Sequence, residues 1–259
     1  MNTNKKSYLQ FQFTILIGLS FLVNGCFSVD DLVPAFSCHD LADNSRFYSE
    51  ESFSFEIDII EQHSIKLEAI NGIIDIVGIS NSNSIKITGE KRVESSSTKD
   101  AESHIKELSV NIRDLSEEIL VKTEQPEYSG GRSYIVNYNI TIPKDLNISV
   151  SSANGCVTLN EMLSNVNVKL INGEVDSKVT LPLDGEIELS VINGNIDLDL
   201  PMNTSAIFTS KVSSGKISVS NLELHDRIET TNSLFGILGD GQGNISLKTV
   251  NGRIWATGF

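Results

Sequence analysis

The sequence predicts an all-β protein, a single-domain β-solenoid with Asn-Gly corners about every twenty residues and an inserted short helix plus hairpin near its N-terminal end. Three observations support this prediction. A short unit, Asn-Gly followed by an alternating apolar stretch, recurs along the chain. The residues on both sides of it alternate between apolar and polar. The 259 residues include 18 glycines and only 5 prolines, which fits a folded globular chain rather than a disordered or collagen-like one.

An Asn-Gly pair marks each copy of the repeat. The copies are Asn71-Gly72, Asn154-Gly155, Asn172-Gly173, Asn193-Gly194 and Asn251-Gly252, with Ser214-Gly215 and Asn232-Ser233 as variants. The apolar residues Ile187, Leu189 and Val191 before Asn193 illustrate the alternation that predicts a strand with one buried face. We predict that these asparagines and glycines are structural turn residues. The asparagines, Asn232 included, would then stack at one corner, with each repeat lying on the one before it.

A meander of hairpins is the alternative architecture, because Asn-Gly is also the favoured two-residue hairpin turn. In a meander the corner would have to alternate with a second, equally tight turn. The return segments, such as 183–185 and 201–204, differ in length and type. A nearly constant repeat with variable return loops favours the solenoid.

A different pattern lies between the first and second copies of the repeat. It predicts a short helix over residues 98–108, a hairpin from Val110–Arg113 and Ile119–Thr123, and a long strand from Tyr134 to Ile142 that ends at Pro143. Residues 53–59 predict an opening strand. We assign residues 91–143 as the helix and hairpin insertion, which would cap strand edges at one end of the stack.

The N-terminus has the pattern of a lipoprotein signal. Lys5 and Lys6 precede a largely apolar stretch over residues 11–23, which is too short to favour a membrane-spanning helix. Val23-Asn24-Gly25-Cys26 resembles a bacterial lipobox. We interpret residues 1–25 as a lipoprotein signal peptide, 26–46 as a tether and 47–259 as the folded domain, with a lipid on Cys26. An ordinary secretory signal with an incidental cysteine is the alternative.

Composition and motifs exclude several classes of function. A formal net charge of −14 disfavours a nucleic-acid partner, whose phosphates require lysine and arginine. The four histidines lack the spacing of a metal site, and no cofactor fingerprint occurs, so we predict no metal, no cofactor and no catalytic residue. Asp75, Asp176 and Asp197 share one outward position of the repeat, and Asp199 follows. We interpret this position as a solvated surface.

Three further side chains have two interpretations each. Cys38 and Cys156 pair outside the cytoplasm, or Cys156 is an unpaired small apolar residue. Trp255 either covers the edge of the final strand together with Phe259 or stacks on a sugar ring.

The order of these elements resembles the bacterial putative-adhesin family of extracytoplasmic β-solenoid domains. The resemblance rests on the opening strand, the G-x-I-x-I-x-G run from Gly72 to Gly78, the inserted helix and hairpin, the strand ending in Ile142-Pro143, and the later Asn-Gly repeats. It covers roughly residues 50–259. The resemblance implies a fold and a compartment more than an activity, and some relatives are linked to envelope-stress responses.

The leading hypothesis is a non-enzymatic, membrane-anchored extracytoplasmic lipoprotein that presents a repetitive β surface for adhesion or cell-envelope interactions. Its partners would be the membrane, through the N-terminal lipid, and an envelope protein or polysaccharide. Phe27 after Cys26 favours the outer membrane in a two-membrane bacterium. The alternatives are a polysaccharide-acting enzyme that uses Asp197 and Asp199, and an envelope-stress sensor that acts through a protein partner.

Overall fold

The computed structural model describes residues 47–259, in which strands dominate and one short helix is present. The predicted signal peptide, Cys26, the tether and Cys38 lie outside the described residues. The elements up to the second repeat are β1 Tyr48–Asp58, β2 Ser64–Glu68, β3 Asn71–Ile79, β4 Ser84–Glu94, α1 Thr98–His104, a 3-10 turn Ile105–Glu107, β5 Ser109–Asp114, β6 Glu118–Glu124 and β7 Ser133–Pro143. Those that follow are β8 Asn147–Met162, β9 Val166–Val179, β10 Glu186–Asn193, β11 Ile196–Leu200, β12 Ala206–Ser220, β13 Leu224–Glu229, β14 Ser233–Leu238 and β15 Gly243–Gly258.

The strands form where apolar residues alternate with polar ones. In β10, Ile187, Leu189 and Val191 are at most 1% exposed, whereas Glu188 and Ser190 between them are half-buried. The same alternation continues along β8, β9 and β15, which run through their Asn-Gly pairs as strands of 14 to 16 residues. The inward side chains of successive strands meet in one apolar cluster. Burial of this face stabilises the strands at roughly 25 cal/mol per Å² of apolar surface.

The strands that carry the repeat lie side by side in parallel and in register. β3 pairs with β8 and β8 with β9; β9 then pairs with both β10 and β11. β15 follows on β10 and β11, and β12 lies on the far side of β15. Within the residues that the structure describes, these repeat strands are parallel neighbours, and the asparagines of adjacent strands face each other.

The strand order differs from the expectation that each repeat lies on the one before it. β15, the last strand in the chain, is inserted between β10 and β12. Two features explain this order. After β12 the chain forms β13 and then β14, which pair antiparallel with each other, and β14 pairs antiparallel with the outer side of β12. The last strand, β15, therefore lies on the inner side of β12. β15 is also suited to an interior position, because Leu247 and Ile254 on either side of its Asn-Gly pair are both fully buried.

Antiparallel strands and the helix close the N-terminal end of the sheet. β7 pairs parallel with β3 and antiparallel with β4, and β4 pairs with β1. The Ser97 hydroxyl caps α1 by accepting from the Asp100 amide at 3.2 Å. The Arg132 guanidinium donates to both oxygens of Asp100, at 2.6 and 2.8 Å, and holds the pKa of that carboxyl well below its usual range. The predicted helix, hairpin, opening strand and strand ending at Pro143 are confirmed within one to five residues at their ends.

The C-terminal end of the sheet is less completely covered. β14 pairs with residues 206–211 of β12 but not with its second half. Residues 214–220 therefore have β15 on one side and no paired strand on the other among the described residues. Ile217 and Val219 in this half are only half-buried, although the equivalent residues of β15, Ile254 and Ala256, are at most 1% exposed.

Candidate functional site

A row of side-chain amides crosses the sheet at the Asn-Gly pairs. The Nδ2 of Asn154 donates to the Oδ1 of Asn71 at 2.7 Å, and Asn172 donates to Asn154 in the same way at 2.7 Å. Asn193 continues the row at 2.9 Å and Asn251 at 2.8 Å. At the first end, Asn71 donates to the Tyr134 carbonyl at 3.0 Å. We call these five residues the amide ladder; every amide in it points in the same direction.

Each glycine after a ladder asparagine is required by its backbone and by its neighbour. Gly173 has a φ of +141°, and a Cβ there would lie 1.6 Å from the carbonyl oxygen of Gly155. Gly194 and Gly252 have φ values of +143° and +152°, with the same contact at 1.7 and 1.9 Å. No side chain fits at these separations. The Asn-Gly pairs lie inside strands or at a strand end, so they bend a strand rather than join two strands of a hairpin.

Asn232 does not belong to the ladder, contrary to expectation. Its Nδ2 donates to the Ser213 carbonyl at 2.9 Å. The residue in register with Asn251 on β12 is Ser214, where the ladder ends. The cause is the residue after Asn232, because Ser233 occupies the place of the glycine, and serine adopts the required positive φ only with strain. The chain turns back there as β14 instead of forming another parallel repeat.

The structure brings two of the predicted carboxylates together and separates the third. Asp176 and Asp197 are in register on β9 and β11, and Trp255 of β15 follows Asp197 in the same row. Thr158 lies between Asp75 and Asp176. Asp199 lies two residues further along β11, in register with Lys178 and Thr257.

The electrostatics of these carboxylates differ from those of isolated surface acids. Burial, reinforced by Asp176 and Glu174, raises the pKa of Asp197 to about 6. Burial and the charge of Asp199 raise the pKa of Asp176 as well. Two adjacent carboxyls, one of them with a clearly raised pKa, are the kind of pair that acid-base hydrolysis of glycosides uses. The pair is therefore a chemically competent candidate.

Aromatic rings border the carboxylates, and each one holds a cation. The Arg253 guanidinium lies 4.4 Å from the centroid of the Trp255 ring, and the Lys178 ammonium lies 4.6 Å from that of Phe259. Trp255 is 38% exposed, and Phe259 is 49% exposed. Neither Asp176 nor Asp197 lines the grooves around Asn165, Asn232, His63 and Asn81. Asp176 is exposed and Asp197 is half-buried, so the carboxylate pair lies on the solvent side of the strands.

Sequence reasoning missed a row of basic residues three positions before the ladder asparagines. Lys169, Ser190, Lys248 and Lys211 are consecutive in register across β9, β10, β15 and β12. Glu188 lies within 3.3 Å of the Lys169 ammonium and 3.9 Å of that of Lys248. The available signal was lysine at the same offset before Asn172, Asn251 and Ser214, but the changed strand order decides which lysines are neighbours.

Cysteine and metal chemistry can be stated for residues 47–259. In that range no group of three or more histidine, cysteine, aspartate or glutamate side chains is arranged to hold a metal ion. The sulfur of Cys156 is disulfide-bonded, and its side chain is buried. The other two cysteines, Cys26 and Cys38, lie outside the described residues. No helix between residues 47 and 259 is long and apolar enough to cross a membrane.

Comparisons with known proteins find a structural likeness. The chain is similar to a putative cell adhesion protein from Clostridium sporogenes, with a TM-score of 0.57 and 12% identity, covering 82% of this chain and 100% of the other. A putative adhesin from Bacteroides fragilis is matched at 10% identity over 80% of this chain and 98% of the other, with a TM-score of 0.28. A putative lipid binding protein from Parabacteroides distasonis is matched at 10% identity over 79% of this chain and 96% of the other, with a TM-score of 0.21.

The first of these comparisons defines the class of fold. The first likeness shows that this chain shares the fold of a solved putative cell adhesion protein, and it agrees with the resemblance to the putative-adhesin family. No protein-family model matches the sequence, and no curated protein sequence matches it.

Proposed function

We propose that the protein is a membrane-anchored extracytoplasmic lipoprotein, without enzymatic activity, that uses a β-solenoid to present a repetitive surface for adhesion or cell-envelope interactions. The observation that carries the proposal is the in-register stacking of the repeat, which sets like positions side by side in rows. Parallel neighbours are about 4.8 Å apart, so the rows form a regular array of side chains. Extended repetitive surfaces of this kind serve binding to extended partners.

Two further observations support a binding role. The solved protein that shares this fold is described as a putative cell adhesion protein. The carboxylate pair lies on the solvent side of the strands, and the basic row borders a groove that is open to solvent. Enzymes bury most of a small substrate in a concave site, whereas adhesion proteins use exposed surfaces.

Adhesion is tested by displaying the full chain on the surface of a heterologous bacterium and measuring retention on immobilised cell-envelope material. We expect the displayed protein to increase retention several-fold over cells that carry an unrelated lipoprotein. The Cys26→Ala chain is the matched control, because it keeps the domain and loses the anchor. Display of a folded domain without any gain in retention contradicts the proposal.

The anchor is tested separately with an alkyne-labelled fatty acid. We expect incorporation into the intact protein and none into the Cys26→Ala chain. Equal labelling of both chains, or labelling of neither, contradicts lipidation at Cys26. If the protein is secreted without a lipid, the adhesive domain acts in solution rather than at the membrane.

A disulfide between Cys38 and Cys156 would fasten the tether to the domain. Lipidation consumes the thiol of Cys26, which leaves Cys38 as the partner for the bonded sulfur of Cys156. Peptide mapping without reduction tests this pairing. We expect one cross-linked peptide pair that contains Cys38 and Cys156, and a pair with Cys26 instead contradicts both the pairing and the lipid.

A polysaccharide-acting enzyme is the second candidate, because the pKa of Asp197 is raised to about 6 beside Asp176. Asp176 and Asp197 are in register on adjacent strands, and glycoside hydrolysis uses a pair of neighbouring carboxyls. Release of reducing ends from envelope polysaccharides, lost in Asp197→Asn, would support this candidate. Release that is unchanged in Asp197→Asn, or no release at all, counts against it.

A further inference from the structure

A groove of about 570 Å³ opens where the amide ladder ends. Its floor and walls come from the ends of β10, β15 and β12 together with Asn232 and Ser233. Ile192 and Val250 are exposed in it at 40% and 43%, although both are branched apolar residues. The groove therefore offers an apolar strip that water covers in the free protein.

The groove exists because the repeat changes at this point. Ile171, Ile192 and Val250 each stand immediately before a ladder asparagine, whereas Ser213 holds that position on β12. The small serine leaves space beside Val250. On the far side, the Val212 amide donates to the Asn232 carbonyl at 2.9 Å, and this contact brings the turn before β14 up as a wall.

Two lysines face each other along one side of the groove. Lys211 and Lys248 are in register on adjacent strands, and both side chains are exposed. Like charges directly opposite each other on a sheet are unfavourable. Lys248 has Glu188 at 3.9 Å, but Lys211 has no ion pair in the part of the chain that the structure describes. Lys211, without an ion pair among the described residues and directly beside a second lysine, is notable in a chain with a net charge of −14.

We propose that this groove binds an acidic saccharide, with a carboxylate of the sugar between Lys211 and Lys248 and the apolar face of a ring on Ile192 and Val250. The proposal deepens the adhesion function and rests on it. Lysine ammonium groups donate charge-assisted hydrogen bonds to a carboxylate. The Ser190, Ser213 and Ser233 hydroxyls in the same groove supply the neutral partners that sugar hydroxyls need.

The charge of the whole protein favours a short saccharide over an anionic membrane. A membrane surface carries a negative potential over a wide area and repels the remaining acidic surface of this chain. A short saccharide with one carboxylate per ring contacts only the groove and avoids the acidic remainder of the surface.

The test measures binding of trigalacturonic acid to the purified full-length protein by isothermal titration calorimetry. Its methyl ester is the matched neutral probe, because esterification keeps the rings and removes the charges. We expect saturable binding of the acid, at least tenfold weaker binding of the ester, and weaker binding at high salt. Equal affinity for acid and ester, or no binding of the acid at millimolar concentration, overturns the proposal.

Variants locate the site. We expect Lys211→Gln and Lys248→Gln each to weaken binding at least fivefold, and Lys211→Arg to retain it. Lys169→Gln is the matched control, since it removes the same charge from the same row outside the groove, and it should change affinity less than twofold. An equal loss in Lys169→Gln would assign binding to general electrostatics and overturn the site. If Lys211→Gln does not fold, the affinities of Lys211→Arg and Lys248→Gln still decide whether the saccharide binds in this groove.

A final arm separates saccharide from lipid. The Cys26→Ala chain, which lacks acyl chains, is mixed with phosphatidylglycerol vesicles and sedimented. We expect no co-sedimentation. Co-sedimentation that Lys211→Gln abolishes would reassign the groove to a lipid surface and overturn the saccharide proposal. The retention assay for adhesion is independent of this outcome, so failure of the ligand class is distinguishable from failure of the function.

Discussion

The Asn172-Gly173 pair inside the sheet and the Ser214-Gly215 pair at its end have the same backbone but different surroundings. Gly173 and Gly215 have φ values of +141° and +147°, and a Cβ on either would lie within 1.7 Å of a carbonyl oxygen. β9 has strands on both sides at this point, whereas the second half of β12 has only β15. The comparison teaches that the glycine sets the bend locally, while stability comes from paired strands on both sides.

The largest expected effect comes from the glycines. Gly173→Ala places a methyl group 1.6 Å from the Gly155 carbonyl in a place where neither strand can move away. We expect a loss of at least about 4 kcal/mol or failure to fold. Gly215→Ala makes the same clash with Gly252, but the end strand can shift, and we expect roughly 1–2 kcal/mol. Urea unfolding measures both, and equal losses would contradict the comparison.

The next effect comes from the core residue two positions after each glycine. Ile196 is fully buried between β9 and β15, whereas Ile217 on β12 is half-buried. We expect Ile196→Ala to cost about 2–5 kcal/mol and Ile217→Ala roughly 1 kcal/mol, because the end position creates little cavity. The same residue type at the same repeat position makes this a matched pair. A cost for Ile217→Ala as large as that for Ile196→Ala would mean that another part of the protein covers β12.

Changes in the amide ladder are expected to alter stability less, with a loss at Asn172 inside the sheet and a gain at Ser214 at its end. Asn172→Ala removes a donor and an acceptor, and leaves Asn154 and Asn193 each without one partner. We expect a loss of about 1–3 kcal/mol. Ser214→Asn adds a rung next to Asn251, and we expect a gain of about 0.5 kcal/mol. Thermal unfolding detects both, and a destabilised Ser214→Asn would show that the ladder cannot be extended.

The last effect is the pH dependence of stability that Asp197 causes. Its folded-state pKa is raised to about 6 from 3.8, so the folded state binds the proton more tightly and stability falls as pH rises from about 4 to about 6. Asp197→Asn removes this loss. We expect the variant to be more stable than the wild-type protein by about 1 kcal/mol at pH 7, after allowance for solvent screening, and equal to it below pH 4.

Asp75→Asn is the control for this pH dependence, since Asp75 lies in register with Asn139 and Thr158 and not with a second carboxylate. Thermal unfolding at pH 4 and pH 7 measures both variants. A gain for Asp197→Asn that is the same at both pH values would contradict the destabilisation of the charged Asp197 by burial and by repulsion from Asp176 and Glu174.

The local elements could be read from the sequence because their causes are local. Alternating apolar residues predict the strands, and the capping and apolar pattern of residues 98–108 predicts the helix, which begins at Thr98. The strand order could not be predicted in this way. Parallel repeats present equivalent edges, so periodicity alone does not say whether Asn251 follows Asn193 or Asn232. The clue was Ser233, which lacks the freedom of glycine and turns the chain back.

The candidate sites depend on that order. Asp197 and Trp255 are neighbours only because β15 lies on β11, and Lys211 meets Lys248 only because β12 lies on β15. With sequential stacking, Asp197 would face Ser218, and Lys211 would face Ser190. The repeat position of a residue thus identifies the row in which it lies, whereas the structure is needed to identify its neighbours in that row.

The insertion of β15 between β10 and β12 is the central claim, and disulfide cross-linking tests it most directly. Ser190 and Lys248 are in register on adjacent strands, whereas Ser190 and Lys211 are separated by β15 and lie about 10 Å apart, twice the strand spacing. A disulfide requires Cα atoms within about 7 Å. We expect the Ser190→Cys, Lys248→Cys protein to form the cross-link under mild oxidation and the Ser190→Cys, Lys211→Cys protein not to form it, with peptide mapping as the measurement. The opposite pattern would contradict the strand order and every neighbour relation derived from it.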